Sequence, residues 1–154
     1  MPSTVEVVRK GLVGTWKLVS FVSKPVAENG TVGYPLGKDA QGYIIYTAAG
    51  YMSAQIMALG SKPYTSEDIY HAKDDEAAEA ARHYLAYSGP FDVISKGEDV
   101  YVKHHMDVAL VSNWIGNHQL RKCEWRGDEI TLSPEHPWMV NGSLVNQYLT
   151  FKRL

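Results

Sequence analysis

Gly42-Tyr43-Ile44-Ile45-Tyr46-Thr47-Ala48-Ala49-Gly50-Tyr51-Met52-Ser53-Ala54 is the stretch whose reading decides the fold class. Two runs rich in β-branched and aromatic residues flank Thr47-Ala48-Ala49-Gly50-Tyr51. That segment fits a type I turn followed by Gly50 in the left-handed conformation, the usual build of a three-residue hairpin loop. Such a loop pairs Thr47 with Tyr51, Tyr46 with Met52 and Ile44 with Ala54. Side chains alternate across a strand, so Ile44, Tyr46, Met52, Ala54 and Ile56 share the apolar face. Tyr43, Thr47, Ser53 and Gln55 then look outward.

The same grammar extends in both directions. Arg126-Gly127-Asp128-Glu129 suits a II′ turn, which pairs Trp125 with Ile130 and Cys123 with Leu132 and sets Arg121 on that same face. Strands are expected at Val13–Val22, Gly42–Thr47, Tyr51–Ala58, Pro90–Ser95, Asp99–Met106, Asn117–Arg126, Glu129–Ser133 and Leu144–Arg153. A Gly116-Asn117 turn would pair Trp114 with Gln119. Val5, Val8 and Leu12 lie at helical spacing behind Thr4, giving a short N-terminal helix. Ser66–Tyr87 reads as two helices broken near Lys73, with Ala77, Ala80, Ala81, Tyr84 and Leu85 as an inner stripe and the role of a lid or plug. Eight strands joined by tight turns leave edges that closure would remove, and eight is the number whose barrel just holds side chains or one small ligand. The expectation is an all-β, closed antiparallel barrel forming a single domain over residues 1–154.

Composition narrows the function. The chain has 154 residues, 45% hydrophobic and 21% charged, with 4 Trp, 10 Tyr and 3 Phe, which suits a packed globular core. A net charge of −2 leaves no electrostatic footprint for nucleic acid or an anionic membrane. No apolar run approaches a spanning length, and Met1-Pro2-Ser3-Thr4-Val5-Glu6 lacks the pattern of a signal peptide. One cysteine, Cys123, cannot form an intrachain disulfide, so a cytoplasmic location is expected. The Arg126-Gly127-Asp128 adhesion tripeptide reads as hairpin chemistry. Asn29-Gly30-Thr31 and Asn141-Gly142-Ser143 match glycosylation acceptors but read as Asn-Gly turns.

Gly14-Thr15-Trp16 after a short helix resembles the Gly-x-Trp start of the lipocalin-type first strand. That resemblance implies that Arg153, near the chain end, packs across the Trp16 ring. A narrower resemblance rests on Leu12–Ser20, Pro35-Leu36-Gly37, Gly42–Thr47 with Gly50–Ala54, and Tyr87-Ser88-Gly89. These are similar, in order and over nearly the whole chain, to the small lipocalin-like domain family of bacteria and fungi. The hairpin departs from it: members more often carry an acidic residue before the glycine and Arg after it, where this chain has Ala49 and Tyr51. The resemblance implies a pocket, and the superfamily's biosynthetic members include isomerases and cyclases.

Polar residues facing a barrel interior are the candidates for chemistry, because burying them unsatisfied is costly. Arg121 would bind a carboxylate or stabilise an enolate. His104 shares the apolar parity of Val100, Val102 and Met106 and is a candidate base, and Tyr46 a candidate donor to a carbonyl. These three are the expected catalytic set. Trp114, Gln119, Gln147, Met52, Met106, Trp138 (in a loop over the mouth) and Tyr84 (on the helix) are the expected substrate-binding set. His104 and His105 are adjacent and must face opposite ways, so no metal site and no cofactor are expected. Cys123 in mid-strand reads as inert.

Two functions follow. The first is a cofactor-free isomerase or cyclase of secondary metabolism, closing a ring in a conjugated phenolic or polyketide-derived substrate, as in a chalcone-like conjugate addition. The second is a carrier of a small apolar metabolite. A barrel with a filled core is the third reading, against which Ala54, His104, Arg121 and Gln147 argue. Tyr43, Tyr51, Met57 and Tyr101 on the outside leave a homodimer open.

Overall fold

A computed structural model describes residues 4–154; the opening Met1–Ser3, read above for a leader, lies outside them. Helix α1 (Thr4–Leu12) leads into β1 (Gly14–Pro25), β2 (Gln41–Tyr46) and β3 (Tyr51–Met57). A 3₁₀ turn at Ile69–His71 and helix α2 (Asp74–Arg82) precede β4 (Tyr84–Lys96), β5 (Asp99–His105) and the short β6 (Val108–Ala109). A second 3₁₀ turn, Ser112–Trp114, precedes β7 (His118–Arg126), β8 (Glu129–Pro134), β9 (Trp138–Val140) and β10 (Ser143–Arg153). The ring runs β1-β2-β3-β4-β5-β7-β8-β10, every pair antiparallel, and β10 returns to pair β1. It is a closed barrel of eight strands. The small strands β6 and β9 are additions, hung on β4 and β10.

Turn chemistry sets the register. Thr47 N–H donates to the Tyr51 carbonyl at 2.8 Å, and Gly50 takes φ 92°. Tyr46 therefore faces Met52, and Ile44 faces Ala54. Gly127 takes φ 61° while Asp128 stays negative, as a II′ turn requires, and Cys123 pairs with Leu132 and Trp125 with Ile130. Asn141, at φ 49°, turns β9 into β10.

One irregularity re-aims a strand. Between Leu18 and Ser20 the β1–β10 register slips by a residue, leaving Val19 as the extra one. Such a bulge reverses which face later residues occupy. Leu18 is buried and Val19 exposed, and beyond the slip it is Phe21 and Ser23 that point inward.

Two expectations are corrected here. The Ser66–Tyr87 stretch holds only α2 as an α-helix, and Tyr84 and Leu85 already belong to β4, paired with Met57 and Ile56. Helix α2 packs on β4 and its alanines are not buried, so it neither lids nor plugs the barrel. Its start is tied instead by Glu76, whose carboxylate accepts from Lys73 N–H at 3.2 Å and Thr65 N–H at 2.9 Å. The plug is α1, which lays Val5, Val8 and Leu12 on the core near Trp16, with Arg9 over the Phe91 ring at 5.1 Å. Trp114 and Gln119 also do not pair: Trp114 lies in a 3₁₀ turn, and Gln119 sits opposite His104.

Trp16 is fully buried and donates through Nε1 to the Leu12 carbonyl at 2.9 Å. Arg153 covers its ring, Cζ lying 4.1 Å from the centroid, and donates to the Val13 and Gly11 carbonyls. One guanidinium thus joins the last strand to the first and to α1. Replacing it, as in Arg153→Leu, removes a shielded cation–π contact and two charge-assisted hydrogen bonds, an expected loss of about 2–4 kcal/mol. Urea unfolding checks this; the midpoint should fall with an unchanged slope.

Candidate functional site

The barrel end opposite α1 is not filled. A cavity of about 170 Å³ lies there. Phe21, Leu85, Pro134 and Leu149 form its apolar wall, Tyr87, Trp114 and Trp138 its aromatic one, and Arg121 and Gln147 face into it. A wider groove of about 960 Å³ lies further along the β1–β10 ladder, at Ser23, Pro25 and Val145, but it is open to solvent and no charged side chain lines it. The smaller cavity is the one with a charged side chain in its lining.

Arg121 is positioned from two sides. Gln119, two residues along β7 and on the same face, accepts from Nη2, and the Leu120 carbonyl accepts from Nη1 at 3.3 Å. The guanidinium lies over Trp138, Cζ at 5.5 Å from the ring centroid. Among the described residues no carboxylate pairs with it. Burial pulls its pKa down, opposed by the Tyr87 and Tyr46 hydroxyls, and a guanidinium keeps its charge under such pressure.

Behind the cavity wall sits a second polar pair. Tyr46 and His104 are fully buried, with the Tyr46 hydroxyl 2.8 Å from His104 Nε2. The Tyr87 ring, part of the cavity wall, stacks at a tilt on His104 at 5.8 Å between centroids and meets Trp114 edge-on at 6.0 Å. Burial first, then the Arg121 charge and His105, push His104 from 6.5 down to about 3. Burial likewise raises Tyr46 and Tyr87, with Arg121 opposing in both. All three are therefore neutral near pH 7. His105 faces outward to Asp92 at 3.1 Å, as its parity requires. The Cys123 thiol is pushed up to about 12 by burial, so it is no activated nucleophile.

Of the residues expected from the sequence, Arg121, Gln147, Trp114 and Trp138 meet at the cavity, and Gln119 holds Arg121. Trp138 reaches it from β9 rather than from a loop. Tyr46 and His104 stand one layer back. Met52 and Met106 are packed in the core and do not line the cavity. Tyr84 is turned away: it lies on the outer face of β4, its hydroxyl donating to Gln55 Oε1 at 2.5 Å. The outer aromatic set does not form one patch either. Tyr43, Tyr51 and Met57 lie on β2 and β3, while Tyr101 lies on β5 under Lys96.

Sequence reading missed Phe21, Tyr87 and Pro134. Alternation along Leu85, Tyr87, Gly89 and Phe91 carries the signal for Tyr87, once those residues are read as strand. Phe21 has none, because the bulge that turns it inward leaves no mark in simple alternation.

A closed eight-stranded antiparallel barrel with a short N-terminal helix defines a calycin-type fold. The model of the lipocalin-like domain matches residues 13–154, and the chain belongs to that family. A 4'-hydroxy-3'-methoxypropiophenone carrier protein of Aspergillus oryzae is 36% identical over 107 residues, covering 67% of this chain and 96% of the relative. No solved structure matches the chain. Among the described residues no helix is long and apolar enough to cross a membrane, and no group of three or more His, Cys, Asp or Glu side chains could hold a metal.

The depressed His104 makes a signed prediction. The unfolded chain takes its proton near 6.5 and the folded one only near 3, so the stabilisation is fully present above 6.5 and is lost as pH falls toward 3. Each pH unit in that window removes about 1.4 kcal/mol. His104→Asn should lose this slope, and the difference between the two urea-midpoint profiles from pH 7 to pH 5 isolates it from the other histidines. Parallel profiles would mean that His104 protonates inside the fold.

Proposed function

We propose that the protein binds a small aryl ketone in the Arg121 cavity and carries it unchanged. The observation that carries this reading is the size and lining of the cavity, about 170 Å³, aromatic and apolar walls around one guanidinium. An apolar cavity of about 150 Å³ takes a benzene ring. This space therefore seats one aromatic ring, with its substituents extending to the cavity's open side, and a two-ring chalcone does not fit without rearrangement. The relative whose name specifies a propiophenone, a single ring with a short acyl chain, supports the same size class.

Ring closure is the second reading, and Arg121 is the observation that favours it. A guanidinium with no carboxylate partner in a largely apolar cavity stabilises an enolate oxygen well. Proton transfer argues the other way. A base or acid works best with a pKa near the working pH, whereas His104 is pushed down to about 3 and Tyr46 is raised. A site that can hold a carbonyl but is poorly matched to move a proton is better suited to carriage.

Incubation with 4-hydroxy-3-methoxypropiophenone, gel filtration and mass analysis of the bound fraction test this. The ligand should co-elute with the protein and be recovered unaltered. Conversion of that ketone, or of a chalcone, to an isomer of identical mass would replace the carrier with an isomerase. Arg121→Met should weaken binding about 10- to 100-fold, the worth of one charge-assisted hydrogen bond, with the unfolding midpoint little changed. Leu85→Trp, which fills the cavity, should abolish binding. Titration by tryptophan fluorescence reads both.

A further inference from the structure

The donors around the cavity outnumber the acceptors. Trp138 Nε1 is buried with no partner among the described residues. The Gln147 amide, on a residue only 7% exposed, and the Tyr87 hydroxyl, also on a residue 7% exposed, make no hydrogen bond either, and both residues line the cavity. Arg121 uses two hydrogen bonds to hold its place and keeps its remaining donors free. Trp138 Nε1 lost water on burial and regained no partner from the protein, which is costly unless a ligand supplies one, and the Gln147 amide, the Tyr87 hydroxyl and the remaining Arg121 donors face the cavity space without a protein acceptor.

Charge points the same way. The titratable groups facing Arg121 are Tyr46 from β2, Tyr87 from β4 and His104 from β5, with Cys123 on its own strand; none of them is an anion near neutral pH. A neutral ligand would seal the guanidinium into a low-dielectric space with no counter-charge. An anionic ligand ends that mismatch, because desolvated opposite charges attract strongly and an unpaired one is heavily penalised.

We propose that the cavity of Arg121, Trp138, Gln147 and Tyr87 binds its aryl ketone as the phenolate, taking up a hydroxyaryl ketone as the neutral phenol or its anion and holding only the anion. This rests on the carrier reading and specifies the ligand within it. Hydroxyaryl ketones suit the step, since a carbonyl para to the hydroxyl delocalises the phenolate charge onto the ketone oxygen and makes the phenol more acidic than Tyr46 or Tyr87. The oxygen–hydrogen bond of the ligand breaks, its electron pair stays on oxygen facing the guanidinium, and the proton leaves to buffer. No redox change occurs.

Absorbance distinguishes phenol from phenolate, so the test needs no label. 4-Hydroxy-3-methoxypropiophenone is mixed with the protein at a pH about one unit below the free phenol's pKa, and the difference spectrum and proton release are measured. The bound ligand should show the red-shifted phenolate band, with close to one proton released per site. An opposite charge nearby favours ionisation, and the phenolate should bind at least about 100-fold tighter than the phenol, which one unit below the free pKa leaves roughly nine-tenths of the bound ligand as the anion. The 3,4-dimethoxy analogue, which has no proton to lose, should bind at least tenfold more weakly and show no change of affinity with pH. Arg121→Gln should return any bound ligand to the neutral-phenol band. Equal binding of ketone and methyl ether, with the neutral band retained, would overturn this proposal and leave the carrier intact. No binding of either would overturn both.

Discussion

Closure of the barrel through Arg153 and Trp16 is the contact on which the rest of the architecture depends. The ring of strands meets itself only where β10 returns to β1, and sequence separation makes that the costliest pairing to form. Arg153 lies over an indole with no exposed surface and holds two carbonyls beyond it, at Gly11 and Val13. The Leu154 N–H then donates to the Thr15 carbonyl at 3.0 Å, extending the seam. The same cluster fixes α1, because Trp16 donates back to Leu12. Closure and plugging are thus one event.

A plug at one end leaves the other free to be hollow. Around Trp16 the lumen is filled by Ile44, Phe91, Ile130 and Phe151, all fully or nearly fully buried. Moving along the same strands, large side chains give way to Tyr87, Arg121 and Gln147, whose polar atoms prevent equally dense packing. The bulge in β1 contributes by bringing Phe21 rather than Ser20 to the wall. Between the two ends stands the Tyr46–His104 hydrogen bond. Neutral on both sides and locked at 2.8 Å, it backs Tyr87 without bringing a mobile proton to the cavity.

How much of this was legible in the sequence depended on whether local chemistry decided the outcome. The hairpins at Gly50 and Gly127 were, because a positive φ at a defined turn position fixes which residues pair, and the inward face follows by alternation. Arg121 and Tyr46 were placed on the interior by that reasoning, and His104 by the apolar parity of Val100, Val102 and Met106 along its own strand. Tyr84 and Tyr87 were not, since Ala77, Ala80, Ala81, Tyr84 and Leu85 have helical spacing and the true boundary is set by pairing with β3. Trp114 reached the cavity wall by a route no local rule describes, through a 3₁₀ turn on an excursion between β5 and β7. Long-range contacts decided those cases.

The distribution of charge sets the interior apart from the surface. The Lys and Arg ion pairs lie on the outside of the barrel: Asp92 with Arg9 of α1, Asp99 with Lys122, Asp128 with Lys152, and Glu135 with Lys96. Each is screened by water and contributes little to stability. Inside, the balance is broken by a single guanidinium among neutral tyrosines and a histidine held uncharged. A carboxylate in that wall would satisfy Arg121 permanently and remove its affinity for anything else. Leaving the cation unpaired makes the folded protein less stable than a compensated core would be, and the deficit is available to a ligand that brings the missing anion.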